Sequence, residues 1–254
     1  MAKKFETKLP PPWLKRIWIK DELVPERRGY PFHIPLFRSE GFELQFENPI
    51  TIIIGDNGSG KSTLLEAIAE LAGFGKLGGG KDHQVFDSDP WEEESGHSLA
   101  QFMGASWLPK MTSGWFFRAE SFFGLSNFLE QAAHGVNALG PDYLSHSHGE
   151  GFMRFFRERG SRKGLFIFDE PESALSPHRQ FEFIKHLLEQ VSLGNVQAII
   201  ATHSPILMAL PGARLLQLDR GGLNETSFRE TAHFRLYREF FMDPEGTVQA
   251  MIED

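Results

Sequence analysis

Fourteen residues, Ile50 to Thr63, constrain this chain more than any other stretch. Ile50-Thr51-Ile52-Ile53-Ile54 is a β-branched run of the kind a parallel sheet buries on both faces, and it stops at Gly55. Gly55-Asp56-Asn57-Gly58-Ser59-Gly60-Lys61-Ser62-Thr63 then fits the pattern glycine, four residues, Gly-Lys-Ser. Behind it Leu64, Leu65, Ile68 and Leu71 form a helical stripe. Strand, glycine loop, helix is the setting of a phosphate loop. Glycines let backbone N–H groups turn onto a phosphate with no Cβ in the way, and the helix N-terminus adds a favourable dipole. In such a loop Lys61 supplies a charge for the β and γ oxygens of a nucleotide, and Ser62 offers its hydroxyl to Mg²⁺. Gly55, Asn57, Gly58, Ser59, Gly60, Lys61, Ser62 and Thr63 are therefore the candidate nucleotide-binding residues.

Leu165-Phe166-Ile167-Phe168-Asp169-Glu170 reads as the companion strand, four apolar residues delivering two carboxylates at their C-terminal edge. Asp169 is placed to hold Mg²⁺ through water. Glu170 is placed to orient or deprotonate an attacking water, because a base must lie within hydrogen-bond reach of its proton. Two acids can also end a strand merely to solvate it; with Lys61 in the same chain that reading is the weaker one.

The 254 residues suit one α/β domain, and 41% hydrophobic with 24% charged residues is the balance of a globular protein. No apolar run approaches the ~20 residues of a membrane helix. The N-terminus runs into Leu9-Pro10-Pro11-Pro12 without an apolar signal core, so the chain is expected to be cytoplasmic. With no cysteine, disulfides and thiolate metal sites are excluded. A net charge of −8 argues against broad attraction to nucleic acid or anionic lipid. One basic cluster, Arg154, Arg157, Arg159, Arg162 and Lys163, stands against it, and a solvated helix face is its simpler explanation.

Elsewhere, Phe32 to Phe46 alternates as strands do, and glycine-rich Gly73 to Gly80, with the acidic stretch to Ser98, suggests a mobile surface insertion. Trp115–Arg118, Gly164–Phe168, Val196–Ala201 and Leu215–Leu218 read as strands, with Leu223–Phe228 beyond a turn at Gly221-Gly222. Asn127–Ala138, Gln180–Gln190 and Phe234–Met242 read as helices, the last closing the domain. The expected fold is α/β: a mainly parallel sheet flanked by helices, with an N-terminal antiparallel β portion, in one domain spanning 1–254.

Four further features narrow the class. Ser147-His148-Gly149-Glu150 precedes a helical segment, 22 residues before Asp169, and resembles the ABC signature with His148 in place of a glycine. Pro171-Glu172-Ser173-Ala174-Leu175-Ser176 resembles that class's D-loop. Thr202-His203-Ser204, with His203 lying 33 residues beyond Glu170, resembles its H-loop. Phe116-Phe117-Arg118-Ala119-Glu120-Ser121 stands where the class puts a strand followed by a glutamine. No glutamine is present, and Glu120 is the candidate for the equivalent polar ligand of Mg²⁺ and water, with Arg118 or Ser121 as alternatives for that polar group. Tyr30, 25 residues before Gly55, stands where many such domains place the aromatic that stacks on adenine; Phe32 is the alternative.

Together these segments resemble the bacterial predicted AAA-type ATPases of the ABC ATPase superfamily, relatives of the SMC and RecF nucleotide-binding heads. The resemblance implies a P-loop fold with a small helical subdomain over about residues 99–160, and ATP hydrolysis with Mg²⁺ by Lys61, Glu170 and His203. It also implies an ATP-dependent homodimer in which Ser147, Gly149 and Glu150 of one subunit face the γ-phosphate held by the other. Only 26 residues separate Glu120 from Ser147, which leaves no room for a long coiled coil. Three functions compete: a DNA-repair or defence ATPase with a nucleic-acid or nuclease partner, a transporter's nucleotide-binding subunit, and a regulatory module that holds ATP. The missing glutamine, Glu150 and Glu172 lean away from transport, and Glu170 leans away from a binder without turnover.

Overall fold

The computed structural model describes residues 7–25, 27–81, 83–84, 98–118, 148–219 and 222–253. Glu120, Ser121, the expected helix Asn127–Ala138, most of the acidic insertion, the turn at Gly221 and Ser147 lie outside these residues. The strands are β1 (Leu14–Ile19), β2 (Glu43–Gln45), β3 (Ile50–Gly55), β4 (Gly79–Gly80), β5 (His83–Gln84), β6 (Met103–Trp107), β7 (Gly114–Arg118), β8 (Gly164–Asp169), β9 (Val196–Ala201), β10 (Arg214–Asp219) and β11 (Gly222–Glu225). The helices are α1 (Pro35–Arg38), α2 (Lys61–Ala72), α3 (His148–Gly160), α4 (Pro177–Ser192), α5 (Pro205–Met208), α6 (Ala232–Met242) and α7 (Pro244–Glu253).

The main sheet has the order β11-β10-β3-β9-β8-β7-β4-β5, with β10, β3, β9, β8 and β7 parallel and antiparallel strands at both edges. Every residue of β3, β8 and β9 is buried, the state their unbroken apolar runs require. On one face lie α2 and a three-stranded antiparallel sheet, β2-β1-β6. On the other, α3 and α4 pack against β7 and β8. Phenylalanine fills this second layer: Phe117 stacks on Phe168 at 4.9 Å, and Phe156 meets Phe168 edge-on at 5.2 Å. The small sheet is tied to the large one by the buried amide of Gln197 in β9. Its Oε1 accepts from the N–H groups of Trp13 and Leu14, and its Nε2 donates to the Leu14 carbonyl.

Three expectations need correction. Phe32 to Phe46 is not a run of strands: it holds α1, with Pro35 in its first turn, and only the short β2. Phe32, Ile34 and Phe37 are all buried, so the alternation recorded burial in a compact turn rather than a pleat. The longer N-terminal strand is β1, in a segment whose flanking prolines and charges disguise it. Gly79 and Gly80 are not free surface loop either; both are buried, and β4 pairs with β7 at Phe116. A Cβ on Gly80 would lie 2.9 Å from the Trp115 ring, so glycine there serves close approach. Finally, α6 forms but does not close the domain, since none of its residues is buried. Among the described residues no helix is long and apolar enough to cross a membrane.

Candidate nucleotide site

β3 ends at Gly55, where a Cβ would meet the Leu218 carbonyl oxygen at 2.8 Å, and the chain turns through Gly58 and Gly60 at φ of 74° and 104°. Both angles favour glycine, and at Gly60 a Cβ would also strike Ile34 at 2.7 Å. The loop delivers the N-terminus of α2 to the mouth of a cavity of about 550 Å³ lined by His33, Ile34, Asn57, Gly58, Gly60, Lys61, Ser62, Thr63, Glu170 and His203. Lys61 is 5% exposed, and its Nζ donates to the carbonyls of Gly55 (2.7 Å) and Asp56 (3.0 Å). Burial lowers its pKa from the ordinary lysine value, while Glu170 and Asp169 oppose that shift.

The Ser62 hydroxyl donates to Asp169 Oδ1 at 3.2 Å across the β3–β8 gap. A hydroxyl and a carboxylate side by side at a phosphate loop are the hard oxygen donors Mg²⁺ takes, together with phosphate oxygens and water. The residues present therefore fit the ion. Among the described residues no group of three or more His, Asp or Glu side chains converges as a metal site on its own. Arg118, ending β7 beside β8, lies 3.8 Å from Asp169 Oδ2 and 2.8 Å from Glu66 Oε1 on α2. Burial raises the pKa of Glu66 against the pull of Arg118.

Glu170 follows Asp169 with a left-handed backbone, φ 49°, the one positive-φ residue other than glycine among the described residues. Its N–H donates to the Ala201 carbonyl at 3.0 Å, and its Oε1 lies 3.7 Å from His203 Nε2. Glu172 Oε1 accepts from the His203 N–H at 2.6 Å, holding the turn after β9 in place. His203 Nε2 is buried and makes no hydrogen bond. The ring of His233, in the first turn of α6, is 6.0 Å from that of His203.

Residues 32–103 match a family described as "AAA domain", and residues 151–209 match one described as "AAA domain, putative AbiEii toxin, Type IV TA system". Both matched segments are described as AAA domains, and between them they hold the phosphate loop and the Asp169-Glu170 strand end. Two solved structures align with it at low similarity. One is described as "An inward-facing conformation of a putative metal-chelate type ABC transporter" (17% identity, TM-score 0.43, covering 76% of this chain and 77% of that one). The other is CbiO1 from Clostridium perfringens, part of the ABC transporter complex CbiONQ (15% identity, TM-score 0.41, covering 84% and 91%). Comparison with curated proteins gives no match.

Lys61, Ser62, Asp169, Glu170 and His203 gather around the phosphate loop. Ser59 belongs to the same loop, and its hydroxyl oxygen is buried without a hydrogen-bond partner. Tyr30 is half exposed, rests against His33 at 5.9 Å, and is not among the cavity's lining residues. Phe32 is buried against Phe102. His33 and Ile34 line the cavity instead, and no motif pointed to them. Gly149 and Glu150 open α3 away from the cavity. A Cβ on Gly149 would meet the Ala174 carbonyl oxygen at 3.1 Å, and Glu150 pairs with Arg179 at 2.8 Å. The basic cluster is largely engaged: Arg154 pairs with Glu158 and Arg157 lies 3.6 Å from Glu182. Arg159 covers Trp115, and Lys163 donates to the Thr7 carbonyl. The contacts of Glu172 with His203 and of Arg118 with Asp169 and Glu66 escaped the sequence, since each depends on a neighbour far along the chain.

Proposed function

We propose that this domain binds Mg-ATP at the Gly55–Thr63 loop and hydrolyses it. The observation that carries the reading is Glu170 and His203 side by side on the wall of the cavity that Lys61 enters. Lys61 exchanges its carbonyl partners for the β and γ oxygens. Glu170 accepts a proton from water as the water oxygen bonds to the γ-phosphorus and the bond to the β-bridging oxygen breaks, releasing ADP and phosphate. His203, with Nε2 free, donates to the γ-phosphate as its charge develops. Arg118, 3.8 Å from Asp169 Oδ2, adds a cation to the surroundings of Asp169, and Glu120 is proposed as a further polar ligand of Mg²⁺ and water. Ser62 and Asp169 would hold Mg²⁺, which would neutralise charge at the phosphate oxygens.

One side of the γ-phosphate is left open by these residues. Ser147, Gly149 and Glu150 cover it from a second subunit, giving a head-to-tail homodimer around two ATP molecules. A DNA-repair or defence process with a nucleic-acid or nuclease partner is the setting favoured over transport. The description of the family matched by residues 151–209, a toxin–antitoxin system, supports that choice.

Turnover of Glu170→Gln tests the reading: hydrolysis should fall by about 10²- to 10⁴-fold with ATP affinity kept. Equal turnover in the variant would refute Glu170 as base. His203→Ala should slow single-turnover hydrolysis more than it weakens binding. Stimulation of ATPase turnover by single- or double-stranded DNA separates the nucleic-acid reading from one with a protein partner.

A further inference from the structure

The helices α6 and α7 are 11 and 10 residues long, and neither buries a single residue. Helices that short are marginal in water unless an apolar face is covered. Both have such a face. Leu236, Tyr237, Phe240 and Phe241 recur at helical spacing on α6, and Pro244, Val248, Met251 and Ile252 do so on α7. The two helices pack on one another, which covers little: Phe241 is 74% exposed, Met242 82% and Ile252 77%. Between them runs a groove of about 480 Å³ lined by Phe240, Pro244, Val248 and Ile252, with Glu245 and Gln249 at its edge.

We propose that this face is a contact between two copies of the chain, formed without nucleotide. Two observations favour a second copy as the occupant. The first is apolar exposure. Phe241, Met242, Met251 and Ile252 are each more than 60% exposed on two adjoining helices, a continuous apolar patch of the kind that a protein interface covers. The second is charge. Arg235 and Arg238 are the cations of α6, whereas from Glu239 onward the chain has Glu239, Asp243, Glu245, Glu253 and Asp254 and no lysine or arginine. Arg235, Arg238 and Glu245 make no ion pair among the described residues. A two-fold axis sets any contact from i to j beside its twin from j to i. Laying α6 of one copy on α7 of the other therefore joins the basic and acidic segments twice while covering both apolar stripes.

The contact is independent of the ATP-driven pairing proposed above, and the test keeps them apart. The full chain, free of nucleotide and in EDTA, is run in sedimentation velocity at micromolar concentration. The expected mass is twice 28.8 kDa. Phe241→Glu combined with Ile252→Glu should raise the dissociation constant by about 30-fold or more, as loss of central interface side chains does. ATP binding by that variant checks that the fold is kept. Arg235→Glu with Arg238→Glu should weaken the dimer, and adding Glu245→Arg with Glu253→Arg should restore it. A monomeric wild type, a dimer indifferent to Phe241→Glu and Ile252→Glu, or charge reversal without rescue would overturn the proposal. In the Phe241→Glu, Ile252→Glu background, a mass increase of Glu170→Gln on adding Mg-ATP then reports the nucleotide-driven contact alone.

Discussion

Helices α2 and α6 are nearly the same length and both are amphipathic; α2 begins with Lys61 in the candidate nucleotide cavity, and the first turn of α6 sets the ring of His233 6.0 Å from that of His203. Their fates differ. Seven residues of α2 are buried under the sheet, and none of α6 is. The apolar period says that a helix forms and which side needs cover; it does not say which molecule supplies the cover. In α2 the cover is β3, β8, β9 and the N-terminal sheet. In α6 no residue is buried among the described residues, and the proposed second copy would supply the cover.

Breaking the α2 side should have the largest effects. Lys61→Ala should lower ATP affinity by about 30-fold to several thousandfold, the 2–5 kcal/mol typical of truncating one partner of a close charge contact. Isothermal titration measures it, and unchanged affinity would remove the phosphate-loop assignment. Ile68→Ala, on the buried side of α2, should destabilise the fold by about 2–5 kcal/mol in urea titrations.

The α6 side gives smaller effects. Partial burial of its ring, reinforced by His203, lowers the pKa of His233 below the ordinary 6.5. A histidine depressed in the folded state lends stability above its unfolded pKa, and that stability is lost as pH falls from about 6.5 through the folded value. Thermal melts of His233→Asn should thus decline less steeply than wild type as pH drops from 7 to 5. Smallest of all, Leu236→Ala in the Phe241→Glu, Ile252→Glu background should change stability by less than about 0.5 kcal/mol, because Leu236 is a surface residue, 43% exposed. A loss as large as that of Ile68→Ala would abolish the contrast.

The parallel sheet was legible because burial on both faces leaves continuous apolar runs: Ile50–Ile54, Gly164–Phe168 and Val196–Ala201 lie within one residue of the observed strands. The phosphate loop was legible because its glycines answer to backbone angles and close approaches that no other residue satisfies. What remained hidden depended on partners remote in sequence. Gln197 clamps β1 from 183 residues away, and Glu172 braces His203 from 31. His33 and Ile34 reach the cavity only because α1 folds where alternation suggested a strand.

The left-handed backbone at Glu170 has a consequence for how this protein can change. A side chain held there costs about 1 kcal/mol or more relative to glycine, which adopts the same angles freely. Glycine at that position would relieve the turn and remove the carboxylate together. Selection of variants for thermal resistance alone should enrich such a change, and the hardier protein it yields would lack the base proposed for ATP hydrolysis.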